Sequence, residues 1–123
     1  MEPATQARPA AGWALTRLRD RALVALATYP ELTPQILSGL DAYQVHQDDR
    51  TGVLTVYYRD EAMVRLGREA TSSVLDYLEA ARLWGARSPL FPTRGRRGHS
   101  RPGDRLGPRV IQEILRRRRG HPQ

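Results

Sequence analysis

From Thr93 to Gly103 the chain holds four arginines, three glycines and a proline but no aliphatic side chain. Such a stretch cannot bury a core, and over about 93–105 it is predicted to be mobile without a partner. Any folded unit must therefore be built from a long apolar block before it and a short one after it. The same region concentrates charge. All twenty basic side chains are arginine, and eleven lie between Arg87 and Arg119, opposed only by Asp104 and Glu113. Residues 87–123 thus carry about +9, whereas residues 1–86 carry about −2. The planar arginine fork grips phosphate in two places and stays protonated, so this half is suited to polyanions. The lack of lysine and asparagine fits the codon bias of a GC-rich genome, but that bias does not explain the crowding.

A length of 123 residues suits one domain with a modest core. The longest apolar run, Ala22 to Ala27, is too short to cross a bilayer, and Met1-Glu2-Pro3-Ala4 does not open a secretory signal. A cytoplasmic protein without membrane contact is expected. The absence of cysteine excludes disulfides, thiolate catalysis and cysteine zinc sites. His46, His99 and His121 are too scattered for a metal centre, and a Walker phosphate loop requires lysine. Neither a metal nor a cofactor is expected. Asp48-Asp49, just before Gly52, reads as a turn rather than a cation site.

Residues 1–12 read as a loose arm. Trp13, Leu15, Leu18, Ala22, Leu23 and Leu26 recur at helical spacing, with Arg17, Arg19, Asp20 and Arg21 on the other face. Pro30 stops that helix near Thr28. Thr33-Pro34 caps and starts a short second helix ending near Gly39-Leu40. Tyr43 to Gln47 has strand character, Asp48 to Gly52 forms a turn, and Val53 to Tyr58 has the β-branched and aromatic composition of a strand. Tyr57 and Tyr58 then point to opposite faces, one towards the core and one free to stack. After the polar turn Arg59-Asp60-Glu61, Ala62 to Leu66 returns as a partner strand. A helix from about Arg68 to Trp84 follows, with Ala70, Val74, Leu75, Leu78 and Ala81 on one face and Gly85 at its stop. Trp13 and Trp84 are expected to pack between helices. A last helix from Pro108 to Arg119 buries Val110, Ile111, Ile114 and Leu115, and its final four arginines also suit the negative end of the helix dipole.

This order of local sequences resembles the catalytic domain of the tyrosine recombinases, the phage-integrase family. Arg19-Asp20-Arg21-Ala22-Leu23 and its aliphatic run look like that domain's opening helix. Leu32 to Leu40 sits where the family has its Gly-Leu-Arg-x-Ser-Glu-Leu helix, and Gly52-Val53-Leu54-Thr55-Val56 opens a similar hairpin. Pro89-Leu90-Phe91-Pro92, the glycine/arginine stretch and Leu106 to Arg117 resemble the family's later segment. The likeness spans about residues 17–121. It implies an architecture like the N-terminal half of that catalytic domain. The family attacks phosphorus with a tyrosine while arginines clamp the phosphate and a hairpin lysine protonates the leaving oxygen. In this chain the first clamp arginine falls on Thr33 and the hairpin lysine on Arg59, a poor proton donor. The segment bearing the family's His-x-x-Arg pair and nucleophile would begin beyond His121, and Tyr29, Tyr43, Tyr57, Tyr58 and Tyr77 do not match the nucleophile. The resemblance therefore implies no enzyme activity.

The expected fold is α+β: helices packed against a small antiparallel hairpin or three-stranded sheet, as one domain over 13–121. The expected function is DNA binding by a catalytically inert recombinase-like chain. Arg59 would contact the backbone from the hairpin, with Arg94, Arg96, Arg97, Arg101, Arg105 and Arg109 on neighbouring phosphates and Arg116, Arg117, Arg118 and Arg119 extending the footprint. Two alternatives stand beside it. RNA is one, through the arginine–glycine stretch Arg94 to Gly98. The other is a protein-interaction module that docks on a full-length recombinase, or on itself, through the apolar side of the last helix.

Overall fold

A computed structural model of the chain describes residues 12–93 and 104–119, with Arg119 described by its backbone alone. The arm expected over 1–12 and most of the basic segment expected over 93–105 lie outside these residues, although Gly12 already belongs to the first helix. That helix, α1 (Gly12–Ala27), buries Ala22, Leu23 and Leu26 and stops three residues before Pro30. It also buries Asp20, which the helical pattern had assigned to the solvent side. Thr33 caps α2 (Pro34–Gly39), its hydroxyl accepting the Ile36 N–H at 3.3 Å, and Pro34 occupies the first turn, where no N–H is needed.

The strand expected from Tyr43 begins later. Ala42–Gln44 is a 3₁₀ turn, held by the Asp41 N–H donating to the Gln44 side-chain oxygen at 2.8 Å. Only Val45–Gln47 forms β1, because the Gln44 amide nitrogen turns instead to the Tyr57 carbonyl at 2.7 Å. With β2 (Leu54–Tyr57) and β3 (Met63–Arg65) it makes an antiparallel sheet in the order β1-β2-β3. Val45, Val56 and Val64 stand side by side in register and are buried. Tyr57 faces outwards with His46 edge-on at 5.0 Å, while Tyr58 packs partly against the core, so the two rings do divide between the faces.

The β1–β2 turn is organised by Asp48. Its carboxylate accepts the Arg50 N–H at 2.7 Å and the Thr51 N–H at 3.4 Å, and Gly52 takes a left-handed φ of 79° to close the turn. The Arg50 N–H, then that of Thr51 and the Arg65 guanidinium 3.5 Å away, hold the Asp48 carboxyl below its usual range despite some desolvation. A lowered folded-state pKa means the ionised form contributes stability above the unfolded value of 3.8, and that contribution is lost as pH falls through the folded value. Asp48→Asn keeps the turn geometry and removes the charge. The variant should melt below the wild type near about pH 6 and converge with it at about pH 2–3 in circular-dichroism melts. A gap that stays constant over that range would contradict this role.

Next, α3 (Arg68–Ala81) stops earlier than the expected Trp84. Arg82 adopts a left-handed conformation (φ 58°, ψ 48°), and the Leu83 N–H returns to the Leu78 carbonyl at 2.9 Å. The stop is driven by Leu83, which is buried as the chain turns inwards, so the helix ends on an arginine and Gly85 serves the following turn. Trp13 (69% exposed) and Trp84 (41%) lie at the surface rather than between helices.

Ser88 to Thr93 runs as an extended seam. The Ala42 N–H donates to the Ser88 carbonyl and the Leu90 N–H to the Leu40 carbonyl, both at 2.9 Å. On its other side the Leu106 N–H meets the Phe91 carbonyl at 2.9 Å, and the Thr93 N–H meets the Asp104 carbonyl at 2.5 Å. Leu90 and Phe91 are buried, and Phe91 stacks on Tyr77, whose hydroxyl donates to the Leu90 carbonyl at 2.7 Å. The chain then enters α4 (Pro108–Arg119), which packs against α1 and α2 while α1 lies along α3. The fold is α+β, with four helices and one three-stranded antiparallel sheet among the described residues. No helix among them is long and apolar enough to cross a membrane.

Candidate nucleic-acid interface

Helix α4 sorts its arginines by position. Ile111, Ile114 and Leu115 face the core, and Val110, expected among them, is 48% exposed. Arg109, Arg116 and Arg117 are on the exposed side. Arg116 pairs with Glu113 one turn back, a surface contact of little energetic consequence. Arg109 and Arg117 have no charged partner among the described residues, so both guanidinium groups have every donor available to a ligand.

Arg118 behaves differently. It follows Ile114 by four residues and Ile111 by seven, which sets it on the inward stripe. Its guanidinium donates to one Asp20 oxygen through Nε at 3.2 Å and Nη2 at 3.0 Å. Arg19 donates to the other oxygen at 3.1 and 2.8 Å, so two forks saturate one buried carboxylate. This accounts for the burial of Asp20. A carboxylate shut away from water is tolerable only when its lone pairs are filled by charged donors.

Arg105 is also committed inside the chain. Its Nη2 meets Asp41 at 2.6 Å, and its Nη1 reaches the Ser38 and Leu40 carbonyls at 3.3 and 3.2 Å, at the C-terminal end of α2. The Ser38 hydroxyl completes the joint by donating to the Leu106 carbonyl at 2.7 Å. Arg105 thus fastens the entry to α4 onto α2.

Arg59 lies at the β2–β3 turn, exposed, with reciprocal backbone bonds between Arg59 and Ala62 closing the turn. Asp60 and Glu61 stand beside it, so its charge is locally outweighed. Helix α4 packs on α1 and α2, and no hydrogen bond or ion pair among the described residues joins Arg59 to the α4 arginines. Arg94, Arg96, Arg97, Arg101 and the side chain of Arg119 lie outside the described residues, as do His99 and His121. The two ends of the arginine–glycine segment, Thr93 and Asp104, are nevertheless hydrogen-bonded to each other close to the start of α4.

Reasoning from sequence did not anticipate the Arg19–Asp20–Arg118 cluster. The signal was present in the helical spacing: Asp20 precedes Leu23 and Leu26 by three and six residues, and Arg118 continues the Ile111 and Ile114 stripe. Complementary charges on two buried stripes are candidates for each other. Among the described residues no three histidine, aspartate or glutamate side chains gather as metal ligands. No protein-family model matches the chain, and no curated protein matches it.

Proposed function

We propose that the chain is a cytoplasmic nucleic-acid-binding protein, with DNA as its ligand, that grips phosphates through arginines and does not cut the backbone. The observation that carries this reading is the outward side of α4, where Arg109 and Arg117 are exposed with no charged partner among the described residues. They stand on a helix whose opposite side is anchored by buried isoleucines and by Arg118. Guanidinium groups on a rigid element cost little to order when they meet phosphate. Four further arginines between Thr93 and Asp104 enter the sequence immediately before that helix. The likeness to the tyrosine recombinases favours duplex DNA over RNA. For the absence of catalysis, support comes from Thr33 at the clamp position, whose hydroxyl caps α2, and from an arginine where the family uses lysine.

Engagement of about six phosphates should give a slope near −5 for log affinity against log salt on duplex DNA. Arg109→Gln/Arg117→Gln should flatten it by about 2, because each lost phosphate contact removes about 0.9. A wild-type slope near zero would remove the proposal, equal-length RNA competing better than DNA would redirect it, and a covalent adduct on nicked DNA would overturn its non-catalytic part. The docking alternative finds less support. Ile111, Ile114 and Leu115 are buried in the chain's own core, which leaves only Val110 of that apolar set exposed.

A further inference from the structure

Away from the outward side of α4, a concavity rich in charge lies between α1 and the start of α3. It encloses about 720 Å³, within the range of small-ligand sites. Four arginines line it: Arg17 and Arg21 from successive turns of α1, Arg68 from the opening of α3, and Arg118 from α4. Two carboxylates, Asp20 and Glu69, also line it. Asp20 is already saturated by Arg19 and Arg118, so it adds no free negative charge to the groove.

The positive charge here is not balanced from within. Arg17 and Arg21 are like charges four residues apart, an unfavourable spacing on a helix, and neither has an acidic partner among the described residues. Arg17 lies over the Trp13 ring at 5.9 Å, which orders its side chain without neutralising it. Arg68 is exposed at the end of α3 where a cation is least welcome. Arg118 is held at the rim by Asp20, yet its side chain remains 49% exposed, so it presents a pre-oriented guanidinium to the cavity. Tyr29 adds a neutral donor. Its hydroxyl oxygen accepts the Gly67 N–H at 2.7 Å, and its own proton has no acceptor among the described residues.

We infer that this groove is a phosphate-recognition site, separate from the outward α4 arginines, which takes a phosphate or diphosphate group between Arg21 and Arg68 with Arg17, Arg118 and the Tyr29 hydroxyl around it. The group belongs either to a small phosphate compound or to the phosphorylated end of a nucleic-acid strand. The mid-strand phosphates of a duplex are the ligand of α4. The site stands independently of the DNA-binding proposal, because small phosphates require no nucleic acid for their recognition.

The test is calorimetric titration of the full chain with inorganic pyrophosphate, and fluorescence titration with a short single-stranded oligonucleotide bearing either a 5′-phosphate or a 5′-hydroxyl. Arg21→Gln/Arg68→Gln should weaken pyrophosphate binding at least tenfold without lowering the ligand-free melting temperature, since neither side chain has a partner to lose and both like-charge repulsion and the helix dipole oppose them. Arg109→Gln/Arg117→Gln, outside the groove, should bind pyrophosphate as the wild type does. A preference for the 5′-phosphate strand that the groove variant abolishes assigns the site to strand ends, and pyrophosphate binding without that preference assigns it to small phosphates. If the wild type shows no saturable pyrophosphate binding at millimolar concentration, or if the groove variant binds equally well, the inference is wrong. Weaker duplex binding with a flatter salt slope in the α4 variant, pyrophosphate binding intact, would separate the two sites.

Discussion

Phe91→Ala should lower the unfolding free energy by about 4 kcal/mol, the cost of emptying a large aromatic site in a core that relaxes only in part. For a domain of this size that corresponds to a fall of roughly 15 °C in melting temperature. Phe91 is the largest of the fully buried side chains and stacks on Tyr77 at 5.5 Å. It also sits in the seam that joins Leu40–Ala42 on one side to Asp104–Leu106 on the other. A void there removes contacts from the long apolar block and from the entry to α4 together. Urea unfolding followed by circular dichroism measures the effect, and a loss under about 1 kcal/mol would mean that the seam does not unite the two parts of the core.

The second large effect concerns the buried carboxylate, and its sign pattern is the informative part. Arg118→Met keeps the apolar stem of the side chain but leaves Asp20 with Arg19 as its sole charged partner, for an expected loss of about 3 kcal/mol. Asp20→Asn should cost about as much, because half-exposed Arg118 can turn to water but Arg19, only 15% exposed, loses its charged partner. The triple substitution Arg19→Met/Asp20→Leu/Arg118→Met should recover most of the loss, since an apolar cluster avoids the desolvation that the ions incur. Chemical denaturation of the wild type, the two single variants and Asp20→Asn/Arg118→Met closes the cycle between Asp20 and Arg118. Additive single effects would show that the contact of 3.0 Å between α1 and α4 carries no coupling.

The elements of this fold were legible where local chemistry agrees with the periodicity. The Thr33-Pro34 start, the Pro30 stop, the β-branched run at Leu54 to Tyr57 and the bounds of α4 all follow from residues acting on their neighbours. Legibility failed where a distant partner decides the outcome. Asp20 is polar by type but buried, because Arg118, ninety-eight residues later, comes to meet it. Val110 is apolar by type but exposed, because the positions α4 turns towards α1 and α2 are those of Ile111, Ile114 and Leu115. The candidate site divides in the same way. Counting arginines pointed to the last third of the chain, yet Arg105 and Arg118 form internal joints there, while Arg17, Arg21 and Arg68 line a groove whose walls are remote in sequence.

The hydrogen bond between Thr93 and Asp104 has an evolutionary consequence. It separates the length of the intervening insertion from the integrity of the domain. Closing a loop of doubled length costs only about 0.6 kcal/mol more, far less than any lost core side chain. Descendants of this chain are therefore free to change the length and arginine content of that insertion while the framework on either side stays under strict constraint.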